Sequence, residues 1–378
     1  MTIETALRKI VVRPAILERN FKNLQKFVGA GTVVMAMVKG DAYGHGMVEA
    51  AQAFARGGCT VFGVVDTVEA VTLRENGVAG KIFVTMGFDP EESGQFVKYD
   101  LTPVIYSLQA AQALNDVAKQ AGTTIKVHVK VDTGMTRLGI MPGELPAFLE
   151  KIESLKNLRA AGIMSHFPES DNPRSEGTKK AIAVFSSLNE QSLKSGQTVN
   201  HIANSGAALH FPEARFGMVR AGIALYGYHP AGREATKVMA ATHSLLPAME
   251  FKTVVLQVKE VEKGVGVSYG HTFVTGGRTR LATIPVGYEN GFSRSLSNRG
   301  RVLIHRQYAP IRGRICMNMC MVDVTGIAGV KAGDEVVVMG RQGQKEISAD
   351  NIADTVNTIS YEILCMLGKN NKKEYRLG

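Results

Sequence analysis

Between residues 32 and 220 the sequence repeats one pattern, a short apolar run followed by a longer segment with helical spacing. The predicted helices carry their apolar residues on one face and cover 14–28, 47–56, 108–121, 143–155 and 176–194. The predicted strands are eight in number and cover 32–38, 61–65, 81–86, 102–106, 125–131, 158–165, 199–203 and 216–220. Eight such units predict an α/β fold of the (β/α)8 type, the TIM barrel, with a doubly wound open sheet as the alternative.

After residue 240 the helical spacing gives way to Val- and Ile-rich runs separated by glycine, at 252–260, 280–285, 301–304, 319–323 and 335–339. This pattern predicts a C-terminal mainly-β domain. A chain of 378 residues with 45% hydrophobic content is long enough for two domains. We therefore assign residues 10–240 to the barrel and 241–378 to the β domain, which residues 1–9 can join. Because no flexible linker separates the two patterns, we expect the domains to pack together.

Composition argues against several classes of protein. The apolar runs fall short of the roughly 20 residues that a membrane span needs, and the N-terminus lacks the apolar core of a signal peptide. We therefore expect no membrane partner and a cytoplasmic location. The four cysteines, Cys59, Cys316, Cys320 and Cys365, are unevenly spaced and indicate neither a disulfide scaffold nor a metal site. The net charge of +10 is dispersed without an aromatic-interleaved basic stripe, so nucleic acid is not an expected partner.

One segment, VVMAMVKGDAYGHG, carries the strongest chemical signal. An apolar strand ends in Lys39 and is followed at once by Asp41, Tyr43, Gly44 and His45. Functional side chains in a barrel come from the carboxyl ends of strands. A lysine with its stem in the barrel mouth would lose hydration and have a lowered pKa, as an imine-forming nucleophile requires. By itself, however, a lysine at a strand end more often only enters solvent.

The segment resembles the cofactor-lysine motif of alanine racemases, in which a lysine precedes a short run ending in Ala-Tyr-Gly-His-Gly. The similarity extends over nearly the whole chain. The further motifs, in chain order, are KVDTGMTRLG (130–139), SHF (165–167), ANS (203–205), VRAGIALYG (219–227), GVSYGHTF (266–273), PVGY (285–288), CM (316–317), MVDV (321–324) and YEILC (361–365).

The resemblance implies an N-terminal barrel that binds pyridoxal 5'-phosphate and a C-terminal β domain. It also implies a homodimer whose active sites lie between the barrel of one subunit and the β domain of the other. The implied activity is the interconversion of L-alanine and D-alanine by two-base proton transfer. The implied substrate is therefore a small amino acid.

The resemblance also implies how the cofactor is held. Lys39 binds it covalently, and the phosphate lies near the ends of the last two strands, where backbone amides and a hydroxyl are available. Arg220 points at the pyridine nitrogen; since a guanidinium keeps its proton at working pH, the ring nitrogen stays unprotonated and transamination is suppressed. The other implied cofactor residues are Tyr43, His166, Asn204, Ser205, Gly222, Ile223 and Tyr361.

Racemisation needs two acid/base groups on opposite faces of the substrate α-carbon. By resemblance, Lys39 acts on the D enantiomer, and Tyr269 of the partner subunit acts on the L enantiomer. Arg137, with Met317 of the partner subunit, holds the substrate carboxylate, since a planar guanidinium suits that group. Lys130 corresponds to a lysine that is often carbamylated in the family, which would orient Arg137.

The sequence departs from the family pattern at four positions. Gly40 and Asp41 stand where Ala-Asn is common, and Asn290 and Asn318 stand where aspartates are usual. The two asparagines remove negative charge from the implied substrate path, which leaves serine, lysine or arginine racemisation open. Tyr361, which narrows the family's pocket, favours alanine.

Two other functions are compatible with a cofactor-binding barrel. An amino-acid decarboxylase shares this fold and cofactor, but it would need a characteristic cysteine in the β domain, and the tyrosine of GVSYGHTF favours racemisation. A pyridoxal-binding barrel without catalytic activity would lack the β domain, and the length of this chain argues against it.

Overall fold

The computed structural model describes residues 7–193 and 199–376. They form two compact units. The barrel unit contains Leu17–Ala42 and Met47–Leu246. The β unit contains the described residues before Leu17, the short segment Tyr43–Gly46 and the described residues from Pro247 onward. Within the described part of the chain, no helix combines the length and apolar character needed to span a membrane.

The barrel unit is built on a parallel sheet of seven strands. Numbered after β1 (Arg8–Val12) of the β unit, they are β2 (Val33–Met37), β3 (Val61–Val64), β4 (Lys81–Val84), β5 (Leu101–Ile105), β6 (Ile125–Lys130), β7 (Leu158–Met164) and β8 (Met218–Ala221). Their spatial order is β7-β6-β5-β4-β3-β2-β8, and every pair is parallel. The strands are almost entirely buried, as parallel strands covered by helices should be.

The predicted strand at 199–203 does not form a regular strand. It contributes an isolated bridge between Met164 and His201, because the side chain of Asn200 takes the N–H of Ile163 at 2.8 Å. The segment nonetheless joins both neighbours: His201 N–H donates to Ile163 O at 3.0 Å, and Arg220 N–H donates to Ala203 O at 2.9 Å. Hydrogen bonds therefore link β7 through this segment to β8 and β2, which closes the ring of strands. The barrel prediction is confirmed.

Helices follow the barrel strands. Those between residues 14 and 243 are α1 (Pro14–Val28), α2 (Lys39–Tyr43), α3 (Met47–Arg56), α4 (Thr67–Glu75), α5 (Ser93–Lys98), α6 (Leu108–Gln120), α7 (Leu145–Ser154), α8 (Glu176–Leu193), α9 (Ser205–His210) and α10 (Arg233–His243). Of these, α2 is a short left-handed turn and not a regular α-helix. The predicted helices 14–28 and 47–56 match α1 and α3. The sequence pattern did not predict α4, whose N-cap is Asp66, nor α5, α9 and α10.

The β unit has a ten-stranded sheet in the order β10-β13-β16-β15-β14-β17-β9-β1-β19, with β18 paired to β17. Its strands after β1 are β9 (Met249–Val254), β10 (Gln257–Val261), β13 (Thr279–Ile284), β14 (Arg301–Ile304), β15 (Gln307–Arg312), β16 (Cys320–Asp323), β17 (Glu335–Gln342), β18 (Lys345–Ile347) and β19 (Lys373–Tyr375). A separate ribbon pairs β11 (Gly266–Val267) with β12 (Phe273–Val274), and two helices, α11 (Ala349–Val356) and α12 (Ser360–Lys369), complete the unit.

Two boundaries in the β unit differ from the sequence reading. Strand β1 lies between β9 and β19, so residues 10–12, assigned to the barrel domain from sequence, belong to this sheet. The predicted strand 252–260 is two strands, because β9 pairs with β1 and β17 whereas β10 pairs with β13. The β unit is mainly β, with α11 and α12 near its C-terminal end, and this agrees with the predicted fold class.

Candidate active site

The backbone after Lys39 adopts a left-handed turn at the carboxyl end of β2. The φ angles of Gly40, Asp41, Ala42 and Tyr43 are 62°, 53°, 53° and 54°. Each L residue in this conformation costs roughly 1–2 kcal/mol, so the turn must be held by its surroundings. The Asp41 carboxylate stabilises the turn, because it accepts the N–H of Met47 at 2.8 Å at the start of α3.

Lys39 itself is exposed at the mouth of the barrel. In this single chain the lysine is therefore more exposed than the desolvated lysine that the sequence analysis expects. Burial lowers the pKa of Lys130 and of His166, and the positive charge of Lys39 acts on both in the same direction. The structure thus brings three predicted site residues together at the carboxyl ends of β2, β6 and β7.

Lys130, Arg137 and His166 line a small cleft, together with Asp132 and Ser165. Lys130 is only 6% exposed, and burial, followed by the charges of Arg220 and Arg137, lowers its pKa to about 8. The loop carrying Arg137 is held by the Asp132 carboxylate, which accepts the N–H groups of Gly134 at 2.9 Å and Thr136 at 3.1 Å.

Arg220, at the end of β8, is buried and donates only to neutral acceptors among the described residues. Its Nη1 donates to Nδ1 and the carbonyl oxygen of His201, at 2.9 and 3.1 Å. Its Nη2 donates to Ser165 O, His166 Nδ1 and Ile202 O, at 2.6, 2.9 and 3.0 Å. Burial lowers the pKa of Arg220 to about 9, so the group stays charged at neutral pH.

A second buried histidine extends this network. His201 Nε2 lies 3.0 Å from His128 Nδ1, and both rings meet Phe83 edge to face. Since Arg220 donates to Nδ1 of His201, the proton of His201 is on Nε2 and is donated to His128. Burial lowers the pKa of His128 to about 3 and that of His201 well below its usual value, so both are neutral. The sequence reading missed these residues, although a histidine within the apolar strand IKVHVK was a signal.

An anion cradle lies where β8 meets α9. Ser205 Oγ accepts the N–H of Gly222 at 2.9 Å and that of Ala224 at 3.4 Å. Asn204 caps α9 through its side-chain oxygen, which accepts the N–H of Ala207. Within the described part of the chain no acceptor takes the N–H of Ile223, a residue that is fully buried. Because a buried N–H without an acceptor is costly, this position fits an external anion such as a phosphate.

In the β unit, Tyr43 and Tyr361 lie side by side, with ring centroids 5.9 Å apart. Their contact depends on Gly44, where a Cβ would overlap the carbonyl oxygen of Leu364, and on Gly368, where a Cβ would overlap Gly44. The segment 43–46 therefore packs closely on α12. This arrangement brings together two of the implied cofactor residues, Tyr43 and Tyr361.

Tyr269 and Met317 lie on exposed turns of the β unit. Tyr269 is 70% exposed and Met317 is 54% exposed. Ser268, with φ 63°, donates from its hydroxyl to Arg314 O at 2.6 Å, which fixes the turn that presents Tyr269. Neither side chain is buried by its own unit.

The two asparagines that depart from the family pattern share one carboxylate. Glu289 Oε2 accepts from Asn290 Nδ2 at 2.7 Å and from Asn318 Nδ2 at 3.2 Å. The N–H of Glu289 also donates to Met317 O at 3.0 Å. One carboxylate, that of Glu289, therefore lies between the two asparagines, and the loss of two negative charges relative to the family pattern stays a prediction.

The barrel with a lysine, an arginine and an anion cradle at its strand ends defines a cofactor-dependent enzyme of the barrel class. Residues 12–230 match the family model described as "Alanine racemase, N-terminal domain", and residues 248–375 match "Alanine racemase, C-terminal domain". The chain belongs to the alanine racemase family. The predicted family, and with it an amino-acid racemase acting on alanine, is confirmed.

Individual relatives agree over nearly their full length. An alanine racemase of Syntrophobacter fumaroxidans is 39% identical over 365 residues, covering 96% of each chain. The crystal structure of the alanine racemase of Streptomyces lavendulae has a TM-score of 0.93 at 31% identity, covering 99% of this chain and 98% of that one. The alanine racemase of Bartonella henselae, with covalently bound pyridoxal phosphate, has a TM-score of 0.88 at 28% identity, covering 98% and 100%.

Proposed function

We propose that this chain racemises alanine with pyridoxal phosphate held on Lys39, and with Lys39 and Tyr269 as the two proton-transfer groups. The observation that carries the proposal is Arg220, a buried guanidinium held by neutral acceptors at the carboxyl end of β8. A permanently charged donor there would keep a ring nitrogen unprotonated. That property favours proton transfer over transamination.

The chain's donor groups suit the cofactor. The fully buried N–H of Ile223 and the adjacent Ser205 hydroxyl suit a phosphate, and the family resemblance implies Tyr43 and Tyr361 as further cofactor residues. When bound, pyridoxal phosphate supplies a carbonyl that joins an amine and a ring that withdraws electrons from the substrate α-carbon. The chain's own residues bind, orient and move protons.

The proton steps follow from the two acid/base groups. Lys39 Nζ takes the α-proton from one face of D-alanine, and the phenol of the partner subunit's Tyr269 gives a proton to the opposite face; the reverse direction exchanges these roles. Arg137 holds the substrate carboxylate, with Met317 of the partner subunit beside it. Two groups on opposite faces explain why inversion needs a second subunit.

We further propose a homodimer in which the exposed face of the β unit meets the partner. The β unit carries large apolar side chains that the described chain leaves exposed, among them Tyr269, Val274, Tyr288, Met317, Met319 and Ile359. Large apolar side chains exposed to water are a feature of association sites. Burying them would also bring Tyr269 out of water, which a proton-transfer group needs.

Lys130 is proposed to react with carbon dioxide. Its amine, with a pKa of about 8, is partly neutral near physiological pH, and only the neutral amine attacks. The neutral amine forms an N–C bond to carbon dioxide and loses one proton to solvent, so the uncharged amine becomes a carbamate anion. An anion in this cleft would pair with Arg137 and hold its guanidinium in place.

A cytoplasmic location is part of the proposal. The buried cysteines Cys59 and Cys320 are free thiols, which suits a compartment that keeps thiols reduced. A fractionation of the native host with antibodies against the chain would test it.

The activity is tested with purified protein, with and without added pyridoxal phosphate, on L-alanine, L-serine and L-lysine. Enantiomers are resolved by chiral chromatography, and Lys39→Ala is the control. The proposal expects D-alanine to form fastest and the control to be inactive. Faster formation of D-serine or D-lysine would refute the alanine preference. A yellow protein that racemises nothing would refute racemisation and would make decarboxylation the next assay.

The separate roles of the two bases are tested in deuterium oxide. Tyr269→Phe should lose exchange of the α-proton of L-alanine while retaining slow exchange on D-alanine through Lys39. Equal loss on both enantiomers would contradict the assignment of one base to each face.

A further inference from the structure

The left-handed turn after Lys39 is fixed at its first residue by a contact with another part of the barrel unit. Gly40, with φ 62° and ψ 45°, begins the turn directly after the lysine. Whatever fixes the peptide of Gly40 also fixes the Cα of Lys39, because the two are neighbours in the chain. The position of the Lys39 amine depends on this backbone, because the side chain starts at that Cα.

Glu69 provides that contact. Its Oε1 accepts the N–H of Gly40 at 2.7 Å, and its Oε2 accepts the N–H of Val65 at 2.9 Å. One carboxylate thereby joins the chain that follows β2 to the chain that follows β3. Both bonds have an ionised acceptor and are of the stronger kind.

Glu69 is itself held in place. It lies in the first turn of α4, and its own N–H donates to the capping side chain of Asp66 at 2.9 Å. A carboxylate in the first turn of a helix is favoured by the helix dipole. Burial raises the pKa of Glu69, while the N–H groups of Val65 and Gly40 and the positive charge of Lys39 act in the opposite direction.

We propose that Glu69 is a positioning residue for Lys39, which fixes the peptide after the lysine and so aims its amine. The inference rests on the proposed role of Lys39 in holding the cofactor. Glu69 makes no proton transfer of its own. Its effect should appear in how well Lys39 captures the cofactor and in kcat, with little effect on KM.

The decisive variant is Glu69→Gln, which preserves the size of the side chain. An amide has one oxygen and one NH2 group, so it accepts from one of the two backbone N–H groups and presents a donor to the other. The matched control is Asp66→Asn at the start of the same helix. It also removes one negative charge, and asparagine caps helices as well as aspartate does.

The cofactor-free proteins are titrated with pyridoxal phosphate, and attachment at Lys39 is counted by mass spectrometry after borohydride reduction. Exchange of backbone amides in 38–47 is followed by mass spectrometry on the same cofactor-free proteins. For Glu69→Gln we expect about tenfold weaker cofactor affinity, kcat lower by roughly 10–100-fold, KM within threefold and faster exchange in 38–47. Asp66→Asn should stay within twofold of the parent in every readout.

The proposal fails if Glu69→Gln keeps the parent's cofactor affinity, kcat and exchange rates, or if Asp66→Asn loses as much as Glu69→Gln does. Lys39→Met separates this failure from that of the proposed function. If Lys39→Met still attaches the cofactor or racemises alanine, the role of Lys39 is wrong, and with it the premise of the inference. If Glu69→Gln does not fold, Glu69→Asp, which retains the charge but withdraws it by one methylene, is measured in the same way with the same criteria.

Discussion

Arg220 Nη2 lies 2.9 Å from His166 Nδ1, and this contact determines which nitrogen of the histidine carries its proton. A guanidinium has only donors, so Nδ1 must accept and the proton of His166 is on Nε2. Burial, followed by the charge of Arg220, lowers the pKa of His166 well below its usual value. His166 is therefore a neutral ring that accepts from Arg220 and can donate from its far side.

Replacing Arg220 by lysine should test this arrangement. An ammonium has three donors where the guanidinium fills five acceptors, so at least two of the acceptors around it lose their partner. We expect kcat for alanine to fall by roughly 100-fold or more, with transamination, measured as pyruvate release, rising relative to racemisation.

Arg215→Lys is the matched control for that variant. Arg215 is a half-buried arginine of the same unit whose Nε donates to Ala208 O. It should change the ratio of racemisation to pyruvate release by less than twofold. If the two variants shifted that ratio equally, the special role of Arg220 would be contradicted.

Lys130 should make the stability of the protein depend on alkaline pH. Burial lowers its pKa from 10.5 to about 8, which corresponds to a penalty of about 3 kcal/mol at most while the folded group is charged. Below pH 8 the lysine is protonated in both states, so the penalty is complete. Between pH 8 and 10.5 the unfolded chain still binds a proton that the folded chain has lost, so stability rises with pH.

Lys130→Met removes this dependence. By urea denaturation in buffer free of carbon dioxide, the variant should be more stable than the parent at pH 7, and the difference should shrink at pH 9.5. Lys126→Met, on the exposed side of the same strand β6, controls for loss of a lysine from that strand. A difference for Lys130→Met that did not change with pH would show that the charge of Lys130 carries no penalty.

The cluster around Glu289 should resist restoration of the family's aspartates. Asn290 is 1% exposed, and its amide faces Glu289 Oε2 at 2.7 Å. Asn290→Asp would place two carboxylates together and should destabilise the folded protein by about 1–3 kcal/mol at pH 7. The loss should diminish as pH falls, since protonating one carboxyl restores a donor.

The exposed member of the cluster gives a smaller effect. Asn318→Asp should cost about 0.2–1 kcal/mol, because solvent screens the repulsion. Glu289→Gln, combined with either aspartate variant, should recover most of the loss in a double-mutant cycle. Losses that simply add in the combined variants would rule out the shared carboxylate.

Periodicity alone located most of the barrel, because buried parallel strands are continuous apolar runs and the helices between them have one apolar face. It predicted a regular strand at 199–203 that does not form, because the side chain of Asn200, and not a backbone carbonyl, accepts the N–H of Ile163. It also assigned residues 10–12 to the barrel, because nothing in the apolar run of β1 indicates that its partners are β9 and β19, more than 230 residues away. Pairing between distant segments is not encoded in local spacing.

The residues of the candidate site also divide into those that sequence motifs predict and those that only the folded structure identifies. Lys39, Arg137, His166 and Arg220 could be named from motifs, and the structure brings them to one end of the barrel. His201 and Glu69 could not, because a histidine before a turn or a glutamate in the first turn of a helix has many ordinary roles. Their contacts with Arg220 and Gly40 exist only once the barrel has formed.

Gly40 tests whether the left-handed turn itself limits the site. A Cβ built at Gly40 meets nothing within 4 Å, so alanine fits in space and pays only for its φ of 62°. Gly40→Ala should therefore destabilise the folded chain by roughly 1–2 kcal/mol, measured by urea unfolding, and should weaken pyridoxal phosphate binding.

Gly122, with φ 63° after α6 and equally open space, offers a control at matched conformation. Gly122→Ala should lose similar stability with no change in cofactor affinity, because its turn does not precede Lys39. Equal weakening of the cofactor in both variants would mean that global stability, rather than the turn, sets the affinity. Unchanged affinity in Gly40→Ala would mean that the turn keeps its geometry whichever residue begins it, because Glu69 and Asp41 hold it at both ends.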